Sequence, residues 1–254
     1  MHCSASNTGG FEVSKEFHGA HIVVSGGTGA LGRAVVETLV QGGAVCHIPN
    51  LIAAELNGFP FTGHPRVRIA RDVDLTNEDA VKAFYAELPP LWASIQIAGG
   101  FAMAPLVDVS AADFEHQFRM NTLTSFLCAR EAVRSFRTRP VTPGSDLVGG
   151  RIVNISARQA LEPRLGAGAV AYTVAKAAVA AMTESLGEEL APEGIWVNAV
   201  APSTLDTPAN RAAMPDADFT RWIRVRDVAG VIRTLVSPAN KTVRGCVVPV
   251  YGRS

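Results

Sequence analysis

The chain has 254 residues, 48% of them hydrophobic and only 18% charged, so it carries enough apolar material for a large core and is not a disordered polypeptide. Its 23 basic and 23 acidic side chains cancel, which removes the broad field that a general nucleic-acid or membrane-surface binder needs. No apolar run is long enough to cross a bilayer. Cys3, Cys46, Cys128 and Cys246 share no short spacing, so the sequence predicts neither a disulfide framework nor a zinc site, and a reducing, cytoplasmic setting is expected. His18, His21, His47, His64 and His116 show no ligand spacing either, and no metal is expected.

Residues 1–16 are polar and rich in Gly, Ser and Asn, and read as a flexible extension without a signal-peptide core. An apolar strand over 20–25 then meets Gly26-Gly27-Thr28-Gly29-Ala30-Leu31-Gly32, and a helix follows with Leu31, Val35, Leu39 and Val40 on one face. A second strand, 44–48, is broken by Pro49. The alternation continues with a strand at 67–70, a helix over 77–87 and a strand at 93–98. A long helix over 111–136, a polar loop to Gly150 and a strand at 151–155 come next. A helix over 171–190, a strand at 196–199 and a last strand at 247–250 complete it. The strands are continuous apolar runs, as burial on both faces demands. The pattern predicts one α/β domain over 17–254: a Rossmann-type, doubly wound parallel sheet with helices on both faces.

Gly26, Gly29 and Gly32 stand between the first strand and the first helix. Glycine there permits a tight turn, close approach of the backbone to a pyrophosphate and close helix-on-strand packing, while the helix N-terminus offers free N–H groups to phosphates. A dinucleotide site follows. The acid that accepts from an adenosine ribose in NADH sites is absent at the end of the second strand, which reads Ile48-Pro49-Asn50-Leu51. That absence removes a repulsion against a 2′-phosphate, and Arg33 is placed to reach one. NADP(H) is therefore expected over NAD(H).

Tyr172 and Lys176 are four apart in an apolar helical stretch and share a face. An ammonium beside a phenol favours the phenolate, so such a tyrosine can exchange a proton as hydride moves at the neighbouring carbon.

With these residues the chain resembles the short-chain dehydrogenase/reductase family over everything from about Phe17 onward. The resemblance implies that Tyr172 and Lys176 are its catalytic pair and that Asn121 supports a water relay to the lysine. Around the cofactor it implies Thr28, Ala30 and Leu31 with the three glycines, and Asn50 at the strand end. Asp74 and Leu75 fall beside the adenine, and Ala98, Gly99 and Gly100 match a family segment in which Gln96 and Ile97 replace two asparagines. Pro202, Thr204 and Thr207 fall at the nicotinamide end, with Ser203 in a usual glycine place. The family's catalytic serine position holds Ala157. Ser156 precedes it, and side chains of adjacent strand residues face opposite sides unless the strand end is distorted, so Ser156 remains a candidate.

A narrower resemblance, to the quinoid dihydropteridine reductases, rests on residues 204–211, on 214–219 with Trp222, and on Ala98-Gly99-Gly100-Phe101. Those enzymes also lack the serine. The resemblance implies hydride transfer to a carbonyl or to a quinonoid, dihydropteridine-like substrate with Tyr172 as proton donor. A 3-oxoacyl or ketone substrate is the alternative, and a catalytically silent nucleotide sensor is the non-enzymatic one. Phe101, Arg158, Asp206 and Arg211 are candidate substrate contacts, and 203–222 reads as a mobile substrate cover. The family resemblance further implies a homodimer or homotetramer built on helices 111–136 and 171–190, with Ala175, Ala178 and Val179 on the packing face.

Overall fold

A computed structural model describes residues 16–140 and 147–253. The expected flexible extension lies outside them except for Glu16. Strand β1 (His21–Ser25), helix α1 (Ala30–Gln41), β2 (Val45–Asn50) and β3 (Val67–Arg71) form the first half-winding. Helix α2 (Glu78–Ala86), β4 (Ala93–Gln96), α3 (Ala111–Phe118) and α4 (Thr124–Thr138) come next, then β5 (Gly150–Ile155), a short α5 (Arg158–Leu161) and α6 (Val170–Glu189). The chain closes with β6 (Ile195–Pro202), β7 (Leu205–Asp206), α7 (Pro208–Ala213), β8 (Ile223–Arg224), α8 (Val225–Val236) and β9 (Val247–Val250).

The seven long strands pair in the order β3-β2-β1-β4-β5-β6-β9, all parallel. The order reverses between β1 and β4, which opens a crevice beyond their carboxyl ends. Successive residues of β1 feed opposite cores. Ile22 and Val24 pack with α1 and α8 on one face, and Val23 packs with α2 and α4 on the other. This is why the strands read as unbroken apolar runs.

Three departures from the sequence reading have local causes. Strand β2 continues through Pro49, which sits opposite Ala70, because β1 pairs with β2 only as far as His47 and the missing N–H falls beyond that ladder. Helix α8 has no counterpart in the motif-based reading. Its buried residues Val228, Ala229, Ile232, Leu235 and Val236 nevertheless form one helical stripe that docks on α1. The 203–222 segment expected as a mobile cover contains regular structure, α7 and the strand β7, which pairs in parallel with β8 just after it. The packing face expected of α6 is also corrected: of Ala175, Ala178 and Val179, the first and last are buried within the chain and Ala178 is half-buried, whereas Val170 and Val174 are exposed, with Phe114, Phe118 and Phe126 exposed on α3 and α4. Among the described residues no helix is long and apolar enough to cross a membrane.

Candidate active site

The crevice at the β1/β4 switch holds a cavity of about 590 Å³, walled by the glycine turn, the end of β2, and the segments after β3 and β4. Gly26, Thr28, Gly29, Ala30, Leu31, Gly32, Asn50, Asp74, Leu75, Ala98 and Gly99 all line it. The turn is shaped for a backbone-bound ligand. A Cβ on Gly32 would come within 2.1 Å of the Gly26 carbonyl oxygen, so only glycine lets α1 begin this close to the turn. Ser25, to which the sequence assigns no role, ties β1 to the end of β4: its Oγ accepts from the N–H groups of Ile97 and Ala98 at 3.1 and 3.3 Å. Asp74 caps the turn into α2 by accepting from Thr76 N and Oγ1, both at 2.8 Å. Pro49, Leu51, Ile52, Glu55, Val73 and Thr76 also line the cavity, and so do His116, Met120 and Thr124 on α3 and α4. No sequence motif marks them; loop closure and helix placement bring them in.

Behind Gly99, outside the residues that line this cavity, stands a cluster of side chains. A Cβ on Gly99 would meet Asn121 Oδ1 at 2.5 Å and Lys176 Nζ at 3.6 Å, which puts both side chains against the cavity wall. Helices α3 and α4 are one rod interrupted by a π-helical turn, Arg119–Leu123, and Asn121 sits in that turn, fully buried. Its Nδ2 donates to the Gly100 and Gln117 carbonyls, both at 3.0 Å, and its Oδ1 accepts from Gly100 N at 3.2 Å. Asn121 thus clamps Gly100 from both sides.

Lys176 is buried, and its Nζ donates to the Ile155 carbonyl at 2.8 Å. Burial lowers its pKa to about 8. The ammonium stands 5.9 Å from the Tyr172 ring centroid, and Phe101 covers that ring edge-on at 4.9 Å. Burial raises the Tyr172 phenol to about 12, so the expected lysine-driven lowering is not present in this state and the tyrosine holds its proton.

Ser156 does not face the cleft. Its hydroxyl donates to the Lys176 carbonyl at 2.9 Å and is buried against α6, while Ala157 takes the next position of the extended chain. The β-strand alternation therefore holds to the strand end, with no distortion to rescue Ser156. The other candidates also have partners. Arg158 pairs with Glu162 at 3.1 Å and lies over the Tyr251 ring at 4.6 Å. Asp206 and Arg211 pair with each other at 2.6 Å and line a separate cavity of about 790 Å³ with Phe219 and Trp222. Thr207 caps α7, its hydroxyl accepting from Asn210 N at 3.1 Å, and Pro202 ends β6. Thr204 accepts from Ile223 N through its carbonyl at 3.1 Å, which anchors β8.

The family model for short chain dehydrogenases matches residues 20–218, a span that contains the glycine turn, the Asn121 turn and the Tyr172–Lys176 helix. The chain belongs to this family. Short-chain dehydrogenases are NAD(P)-dependent oxidoreductases, and the parallel sheet with its flanking helices is their fold. Among relatives, an NADPH-dependent aldehyde reductase-like chloroplast protein of Arabidopsis thaliana is 27% identical, over 91% of this chain and 92% of its own. A short-chain type dehydrogenase/reductase of Picea abies is 30% identical, over 91% and 90%. Among solved structures, a blue fluorescent protein from a metagenomic library in complex with NADPH superposes with a TM-score of 0.78 at 27% identity, over 94% of this chain and 99% of its own.

Proposed function

We propose that this short-chain dehydrogenase works as an NADPH-dependent reductase, with Tyr172 giving the proton that accompanies hydride transfer to a carbonyl or quinonoid carbon. The observation that carries this reading is the buried Lys176, held by the Ile155 carbonyl behind Gly99 and one helical turn from Tyr172. The nicotinamide nucleotide, when bound, supplies the hydride. The glycine turn, Asp74 and Leu75 would hold its adenosine and phosphate portions, and Tyr172, Lys176, Pro202 and Thr207 its reactive end.

The chain's own work is proton management. A phenol with its pKa near 12 is neutral across the working range and is a donor. As it gives up its proton, the Lys176 charge offsets the developing phenolate. Asn121 keeps Gly99 and Gly100 against the lysine and orders the route by which the proton is replaced. Choice of NADPH is supported by the absent strand-end acid, by Arg33 beside the glycine turn, and by the two relatives named with NADPH.

For the substrate, Ala157 is the informative residue. Without a hydroxyl at that position, no strand-end serine steadies a carbonyl oxygen. This favours a conjugated, dihydropteridine-like acceptor, where charge spreads over a ring. An aldehyde or ketone is the second reading, supported by the name of the Arabidopsis relative. Turnover of quinonoid dihydropterin against a panel of aldehydes, ketones and a 3-oxoacyl thioester separates the two. The exposed Phe114, Phe118, Phe126 and Val174 are the surface on which a homodimer or homotetramer would form. Sedimentation of the purified chain checks that assembly.

A further inference from the structure

The end of β2 has no acid, yet the structure brings one there. Glu55 lies in the 3-10 turn Ala53–Leu56, beyond the strand, and its carboxylate folds back to the strand end. Its Oε2 accepts from Thr28 Oγ1 at 2.5 Å and from Asn50 Nδ2 at 3.3 Å. Thr28 and Asn50 are buried polar residues, and the carboxylate gives both a partner. All three line the cavity between the glycine turn and Asp74.

A cation borders the same corner. Arg33 Nε donates to the Thr28 carbonyl at 2.7 Å and Nη2 to the Glu55 carbonyl at 3.4 Å, with the guanidinium over Phe59 at 5.8 Å from the ring centroid. Its hydrogen bonds go to main-chain carbonyls, so no carboxylate neutralises its charge through them. One acid therefore lines the cavity corner, from a turn, and one base stands beside it, from α1, bonded to the carbonyls of two lining residues.

We propose that Glu55 is the residue that sets, and limits, the preference between NADPH and NADH. This rests on the nucleotide reading above and concerns the adenosine ribose alone. A free 2′-hydroxyl can donate to the Glu55 carboxylate as Thr28 and Asn50 do. A 2′-phosphate brings further negative charge beside it and must draw on Arg33 instead. Removing the Glu55 charge while keeping its shape leaves the pull of Arg33 unopposed.

The test is calorimetric titration at low ionic strength of the wild type and Glu55→Gln with NADPH, NADH, adenosine 2′,5′-bisphosphate and ADP. Glu55→Gln is expected to tighten NADPH and the bisphosphate by about tenfold, equivalent to ~1.4 kcal/mol, and to leave NADH and ADP unchanged or weaker. The gain shrinks at high salt, because the corner is open to solvent. Glu55→Asp keeps the charge on a shorter arm and should fall between the two, which carries the test if the glutamine variant does not fold. A ratio of NADPH to NADH affinity that stays within twofold of wild type in both variants overturns the assignment of Glu55. A wild type that binds none of the four ligands overturns the nucleotide reading itself.

Discussion

The two ends of the proposed site are built from different materials. The end proposed for the adenosine and phosphates is mostly backbone: a turn in which Gly32 leaves no room for a Cβ, and a helix start whose first residues line the cavity. The end proposed to be reactive is made of side chains, the buried Lys176 and Asn121 and the half-buried Tyr172, held by the segment after β4 and by the end of β5. A site made of backbone is tuned by what is missing from its residues. A site made of side chains is tuned by burial, which here moves the tyrosine up and the lysine down.

That contrast predicts separable failures. Tyr172→Phe should lower reductive turnover by about a thousandfold through loss of the proton donor, with NADPH affinity falling far less, by no more than about fivefold. Stopped-flow rates alongside nucleotide titration check it, and a variant that loses binding and rate together would erase the distinction between the ends. Gly32→Ala is the converse. Its methyl group collides with the Gly26 carbonyl, so α1 must shift; nucleotide affinity should fall by roughly a hundredfold and the fold should lose about 2 kcal/mol, read by titration and by urea melts.

A smaller effect sharpens the reactive end by itself. Lys176 carries its charge below a pKa of about 8 and loses it above. Tyr172, near 12, stays protonated throughout that range. The rate of reduction should therefore fall as pH rises through about 8, and the pH profile of Lys176→Met should be flat there at a lower plateau. The smallest effect belongs to Ser156. Its hydroxyl serves the Lys176 carbonyl, so Ser156→Ala should cost about 1 kcal/mol of stability and change turnover less than about threefold. A large loss of turnover with unchanged stability would return Ser156 to the reaction.

Much of this was legible in the residues. The glycine turn announced itself because only glycine tolerates its geometry, and the tyrosine and lysine because helical spacing puts positions four apart on one face. The expectation for Ser156 foundered on orientation: the sequence left open whether the strand end was distorted, and the bond to α6 decides that it is regular. Helix α8 carries a clear apolar stripe but no chemical motif, so a reading built on motifs does not reach it.

By itself, then, the sequence determined the parallel α/β architecture and where the glycine turn and the Tyr172–Lys176 helix pair lie, because each depends on local periodicity or on a residue type with a single steric or chemical role. Only the tertiary structure decided which carboxylate reaches the end of β2, where the Ser156 hydroxyl points and which way burial moves the Tyr172 and Lys176 protons. Glu55 reaches Asn50 by loop closure, and the lysine is desolvated by the strands and helices around it. Both are matters of what packs beside a residue, which no spacing along the chain records.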